Sequence, residues 1–221
     1  ITDFAGLQSP KYLPNLTPLQ HQLEVAQTVI ERMNGKAILA DEVGLGKTIE
    51  AGLILKEYLI RGLVKKALIL VPASLVNQWI EELNQKFYIP AMQYKKNYNL
   101  NTCNIVVMSM DMAKRSPHKE NIYEQNFDLI IIDEAHKLKN HKTKNYEFVQ
   151  NLKKKFCLLL TATPIQNDVF ELFYLISLLK PGHLGSYETF QAAFSASKHN
   201  VEHEAYLREL VNQVMVRNRR Q

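Results

Sequence analysis

Two closely spaced glycines stand directly ahead of a lysine and a threonine in Gly44-Leu45-Gly46-Lys47-Thr48, an order of residue types suited to holding a polyphosphate. Gly44 and Gly46 let the backbone turn its amide hydrogens inward around an anion with no Cβ in the way. The expected cradle is the amides of Val43, Gly44, Leu45, Gly46, Lys47 and Thr48. Lys47 adds a mobile cation, and Thr48 a hydroxyl that can ligate magnesium. The general P-loop motif has a further glycine where this chain has Asp41. A second pair able to do chemistry is Asp133-Glu134, in the run Asp133-Glu134-Ala135-His136. Two carboxylates beside bound phosphates can divide the work of hydrolysis. Asp133 would hold magnesium and Glu134 would orient and deprotonate the attacking water. The plainer alternative is an acidic pair capping the helix that follows.

Both groups need elements to position them. Apolar runs at 37–40, 67–71, 105–108, 129–132 and 157–160 alternate with stretches of helical spacing, which predicts a parallel sheet between helical layers. Ligand sites of such sheets lie at the carboxyl ends of the strands. Residues 37–40 run into the glycine turn, and the helix expected from about Lys47 would point its positive end at the same phosphates. Residues 129–132 deliver the acidic pair to the same edge. Thr17-Pro18 reads as a helix start, followed by apolar positions 23, 26, 29, 30 and 33 near a 3.6-residue period. Residues 90–102 and 112–126 read as polar surface connections with modest helix. Three helical stretches, 169–179, 187–194 and 202–216, close the chain.

A third strand ends in Thr161-Ala162-Thr163-Pro164. With it, the ordered set Asp-Glu-Val-Gly-Leu-Gly-Lys-Thr, Val-Pro-Ala-Ser-Leu-Val, Asp-Glu-Ala-His and Thr-Ala-Thr-Pro resembles the first RecA-like lobe of a superfamily-two helicase. The following Ile-Gln-Asn-Asp and Leu-Lys-Pro-Gly, between 165 and 182, narrow the resemblance to the Swi/Snf-type DNA-dependent ATPases, in their bacterial form. It covers the chain from about Leu16 to Arg220, and Asp41 at the first P-loop glycine is the form this family uses.

The resemblance implies a three-layer α/β RecA-like P-loop lobe with a parallel sheet and a C-terminal helical extension. The implied division is a lead-in and helix over 1–34, the ATP-binding lobe over 35–165, and over 166–221 a helical extension linking toward a second RecA-like lobe of a longer chain. It also implies ATP as substrate, magnesium as cofactor, and hydrolysis coupled to translocation on double-stranded DNA, with displacement of a DNA-bound protein such as RNA polymerase. Hydrolysis of this kind normally draws an arginine from the second lobe, worth on the order of 10³ to 10⁵ in rate. The single lobe is therefore expected to be weak or inactive. Arg217, Arg219 and Arg220 read as linker residues and not as that finger. An RNA helicase lobe and a non-hydrolysing nucleotide-gated module are the alternatives.

Several residues admit two readings. Gln22 resembles the upstream glutamine of these ATPases, whose amide can pair with both a donor and an acceptor on an adenine edge; Gln20 is the competing register. His136, Thr161 and Thr163 could couple nucleotide state to DNA, or the threonines could be ordinary strand and turn residues. Ser74 could hold a DNA phosphate or serve as a plain N-cap. Trp79 beside Ile80 and Leu83 fits a core position better than a base-stacking one. Lys137 and Lys139, in a basic segment with His141, Lys142 and Lys144, are candidate contacts to the DNA backbone.

Other patterns exclude functions. His199-Asn200-Val201-Glu202-His203 matches an inverted zinc-protease spacing but lacks a convincing third ligand. Gly44-Leu45-Gly46 lacks the third glycine of a dinucleotide fold, having Ile49 there. Cys103 and Cys157 are too few and too far apart for a disulfide framework. The formal net charge of +5 permits an anionic partner. No run approaches the ~20 apolar residues that span a bilayer, so a cytoplasmic protein without a membrane partner is expected.

Overall fold

The computed structural model describes residues 4–41, 46–138, 140–162, 169–198 and 200–218. Seven strands form one parallel sheet: β1 Lys36–Asp41, β2 Ala67–Val71, β3 Met92–Gln93, β4 Ile105–Ser109, β5 Leu129–Ile132, β6 Phe156–Thr161 and β7 Met215–Asn218. Their spatial order is β3-β4-β2-β5-β6-β1-β7, with every adjacent pair parallel. The fold is the expected α/β RecA-like lobe. β2 and β5 are buried at every position, as continuous apolar runs covered on both faces must be.

Side chains alternate across the pleat and so sort into two cores. Ala67, Ile69, Val71, Leu129 and Ile131 face a layer built from α1 Gln20–Arg32, α2 Lys47–Ile60 and α3 Val76–Phe87. Leu68, Leu70, Ile130 and Ile132 face the other layer, formed by α4 Met110–Ala113, α5 His118–Tyr123, α6 Lys144–Asn151, α7 Val169–Leu179, α8 Tyr187–Ser197 and α9 Val201–Asn212. In α3 the buried residues Val76, Trp79, Leu83 and Phe87 recur at helical spacing and make one apolar stripe. α2 and α3 pack closely at Gly52, where a Cβ would lie 2.4 Å from the Phe87 ring.

The chain ahead of α1 is fastened to α2 by a buried carboxylate. Glu57, fully buried, accepts from the amides of Gln8 at 2.7 Å and Ser9 at 2.8 Å and pairs with Arg61 at 2.7 Å. Arg61 in turn donates to the Gly6 carbonyl and lies over the Phe4 ring.

Two regions differ from the sequence expectation. The stretch expected to be helix through residue 216 ends as α9 at Asn212, and Met215–Asn218 returns to the sheet as β7 beside β1. Val214, Met215 and Val216 are too apolar for a solvated helix end, and β1 presents an edge whose amides and carbonyls pairing satisfies. Residues 90–102 are less superficial than their polarity suggests. Ala91, Tyr94 and Leu100 are buried, and the Tyr94 hydroxyl lies 2.9 Å from His118 Nδ1.

Candidate nucleotide site

The strand order determines which predicted residues can meet. β1 and β5 flank β6, so the two groups with chemistry leave the sheet about two strand spacings, or ~10 Å, apart. Period-two alternation along β5 puts Ile131 on the α1–α3 face and Ile132 on the other. Asp133 then falls on the α1–α3 face, where α2 begins with Lys47 and Thr48.

Gly46 caps α2 with φ of +103°, a left-handed conformation that disfavours any side chain. A Cβ there would also lie 2.7 Å from Gln22 Nε2. Lys47 is only 5% exposed and Thr48 half-buried, so ammonium and hydroxyl both start from the first turn of the helix. Val43, Gly44 and Leu45 lie outside the described residues.

The two glutamine registers separate. Gln20 sits on the surface with Glu24, whereas Gln22 is 7% exposed and its amide nitrogen abuts the Gly46 turn. Its Oε1 accepts from the Leu19 amide at 2.8 Å at the start of α1, the single half of a capping box that an apolar N-cap residue allows. Gln22 thus presents its donor side to the turn while its acceptor already serves the helix.

Asp133 is held from both sides. Its Oδ1 accepts from the Glu134 amide at 2.8 Å and its Oδ2 from the Trp79 indole at 3.0 Å. Glu134 has φ of +51°, which for a non-glycine residue stores strain. That turn ends the strand and carries Glu134 into a 3₁₀ turn over Ala135–Leu138, so the pair does not cap an α-helix in the way the plainer reading required. Glu134 Oε2 is 2.7 Å from Lys137 Nζ; the lysine is exposed and the glutamate half-buried.

His136 Nδ1 and Thr161 Oγ1 are 3.5 Å apart, at the outer limit of a hydrogen bond, and Thr161 is buried at the end of β6. The two expected coupling residues that can be placed are therefore neighbours. Thr163 and Lys139 lie outside the described residues.

Ser74 is exposed in a 3₁₀ turn over Ala73–Leu75, and neither that turn nor α3 has a side-chain cap. The plain N-cap reading fails, because α3 starts two residues later. Trp79 is 2% exposed, which supports the core reading; its polar edge on Asp133 was not foreseen. The only sequence signal was a tryptophan eight residues past the end of β2, with a donor that burial obliges to find a partner. His141 leaves the basic segment for an aromatic cluster, stacked on Tyr174 at 3.9 Å, while Lys142 and Lys144 stay exposed. Of the zinc-like pattern, His203 is exposed on α9 and His199 lies outside the described residues; among the described residues no three His, Cys, Asp or Glu side chains gather as a metal site. No helix among the described residues is long and apolar enough to cross a membrane.

Comparison with known proteins adds independent information. The family model described as the SNF2-related domain matches residues 21–221. The chain is 67% identical over 220 residues to the uncharacterized ATP-dependent helicase YqhH of Bacillus subtilis (strain 168), covering all of this chain and 40% of that protein. It is 36% identical over 197 residues to the RNA polymerase-associated protein RapA of Actinobacillus pleuropneumoniae serotype 3 (strain JL03), covering 79% of this chain and 20% of that one. The chain thus spans less than half the length of these curated relatives. Among solved structures, the SWI2/SNF2 ATPase core of Sulfolobus solfataricus in complex with dsDNA superposes with a TM-score of 0.81 at 24% identity, over 92% of this chain and 45% of that one. The same organism's SWI2/SNF2 ATPase core domain gives 0.75 at 25% identity, over 96% and 47%.

Proposed function

The chain belongs to the SNF2-related family of Swi/Snf-type superfamily-two ATPases, as an N-terminal RecA-like lobe, and from that premise we propose that it binds ATP and supplies half of a DNA-dependent ATPase site that drives translocation on duplex DNA. The observation that carries this reading is the left-handed Gly46 at the head of α2, followed at once by the buried Lys47, in the same helical layer from which Trp79 of α3 donates to Asp133 at the end of β5.

In this reading the amides of residues 43–48 and the Lys47 ammonium hold the β- and γ-phosphates, and Gln22 adjoins the turn from the α1 side. Thr48 and Asp133 offer a hydroxyl and a carboxylate, the small hard-oxygen set that magnesium takes while keeping most of its waters. Bound magnesium would neutralise charge on the phosphates. Glu134 accepts the proton of the water that attacks the γ-phosphorus, while the bond to the β-phosphate oxygen breaks and its electron pair leaves with ADP. Lys137, exposed and paired with Glu134, is where a DNA backbone phosphate would act on that base.

Duplex DNA as partner is supported by the net charge of +5 and by the exposed Ala73-Ser74 turn at the head of α3. A separate cleft of about 510 Å³, lined by Lys114, Arg115, Lys119 and Lys144 against the single carboxylate of Glu147, is net basic and also favours an anionic partner. The RNA polymerase association of the RapA relative suggests a DNA-bound protein as the object displaced. We place the lead-in at 1–34, the ATP-binding lobe at 35–165 and the link toward a second lobe at 166–221.

The test is phosphate release with and without duplex DNA, for this chain and for a two-lobe form at matched salt. The chain alone should show little stimulation, because a charge-stabilising arginine comes from the other lobe. The two-lobe form should be stimulated. Strong stimulation of the single lobe would contradict the divided site, and a two-lobe form indifferent to duplex DNA would contradict the translocase.

A further inference from the structure

Asp133 needs a fixed orientation to serve as a magnesium ligand, and a carboxylate at a strand end has a rotatable side chain. One of its two anchors, the Glu134 amide, comes from the same turn and moves with it. The other comes from outside. Trp79 reaches from α3 with its ring in the core between Val76 and Leu83, 2% exposed, and places its indole N–H 3.0 Å from Oδ2. Indole nitrogen only donates, so the contact has one sense and cannot invert. A buried ring pinned by packing is a rigid lever, unlike a lysine or arginine on the surface.

We propose that Trp79 is a positioning residue for the nucleotide site: its indole N–H holds the Asp133 carboxylate in the orientation that accepts magnesium. The inference rests on the proposed role of Asp133. Partners that orient a metal's ligands without touching the metal typically account for roughly 10- to 100-fold in metal affinity.

The experiment compares binding of a fluorescent ATP analogue in magnesium and in EDTA, for the native chain and for Trp79→Phe, which keeps an aromatic ring and deletes the donor. The native chain should bind more tightly with magnesium. In Trp79→Phe that advantage should shrink by roughly 10- to 100-fold, while affinity in EDTA, set by Lys47 and the amides, stays unchanged. A role confined to packing would move both affinities together. An undiminished magnesium advantage in Trp79→Phe would overturn the proposal and leave the nucleotide site standing. No magnesium advantage in the native chain would instead refute the site itself.

A second measurement needs no variant. Trp79 is the chain's one tryptophan, so its emission reports on Asp133 directly. Adding magnesium to the ATP-saturated native chain should change that emission, and the same ATP in EDTA should not. An emission indifferent to magnesium would overturn the proposal even if Trp79→Phe failed to fold.

Discussion

Glu57 and Asp133 are acidic residues on the same helical face of the sheet, and their surroundings differ in kind. Glu57 is fully buried, with two backbone amides and an arginine of its own chain on its oxygens. Asp133 is half-buried, oriented by one indole and one amide, and followed by Glu134 in a strained left-handed conformation. A buried charge met by its own chain's donors is a clasp, since removing one partner strands the rest. A carboxylate held in orientation but left partly exposed, on a turn that costs energy to hold, is what the proposed nucleotide site requires. Stability is invested at the first and withdrawn at the second.

The contrast predicts opposite consequences for substitution. Glu134→Gln in a two-lobe form should lower turnover by about 10² to 10⁴ and leave the urea midpoint in place, because the amide keeps the shape but cannot take a proton. Wild-type turnover would remove Glu134 from the chemistry. Glu57→Ala should do the reverse, costing about 3–5 kcal/mol of stability while ATP affinity of the folded protein is retained. Equilibrium urea unfolding checks this, and a loss below about 1 kcal/mol would mean that the clasp is not a fastening. Glu134→Gly sharpens the point, since glycine relieves the left-handed strain at some entropic cost. Its stability should be unchanged or higher by up to about 1 kcal/mol, the exposed Lys137 pair contributing little. A clear loss would show that the turn is unstrained.

The smallest effect concerns Cys157, far from either carboxylate in chemistry. Complete burial pushes its thiol up to about 12. Below that pH the folded thiol stays protonated, so a thiolate-selective reagent at pH 8 should label it only after unfolding. The same shift makes its contribution to stability fall as pH rises above the ordinary thiol value of about 8.5. Labelling of the native chain at the rate of the unfolded one would contradict the burial.

Much of this contrast was legible in the residues, though unevenly. The five long strands were readable because apolar runs bounded by turn signals are local, and the glycine turn and acidic pair were readable because each is a contiguous motif. The Glu57 clasp was not, since the amides it holds, those of Gln8 and Ser9, lie almost fifty residues away and a glutamate on a helix is usually solvated. Trp79 was legible as core, but its bond to Asp133 depends on β2 lying beside β5, a pairing that no local pattern encodes. β7 was hidden because Met215–Asn218 continues a helical period, and only the edge of β1 makes extension preferable. The capping role of Gln22 was likewise obscured, because the residue it caps, Leu19, carries no polar side chain of its own.

The central claim is that Lys47, at the head of α2, holds nucleotide phosphates against the sheet's carboxyl edge. Titrating a fluorescent ATP analogue into the native chain and into Lys47→Ala tests it most directly, with circular dichroism confirming that both are folded. Removal of the ammonium leaves phosphate charge to the amides and magnesium alone, so the variant should bind at least about tenfold more weakly, the loss of roughly 1.4 kcal/mol that a single charge-assisted contact supplies. Equal dissociation constants for the two folded proteins would contradict the account.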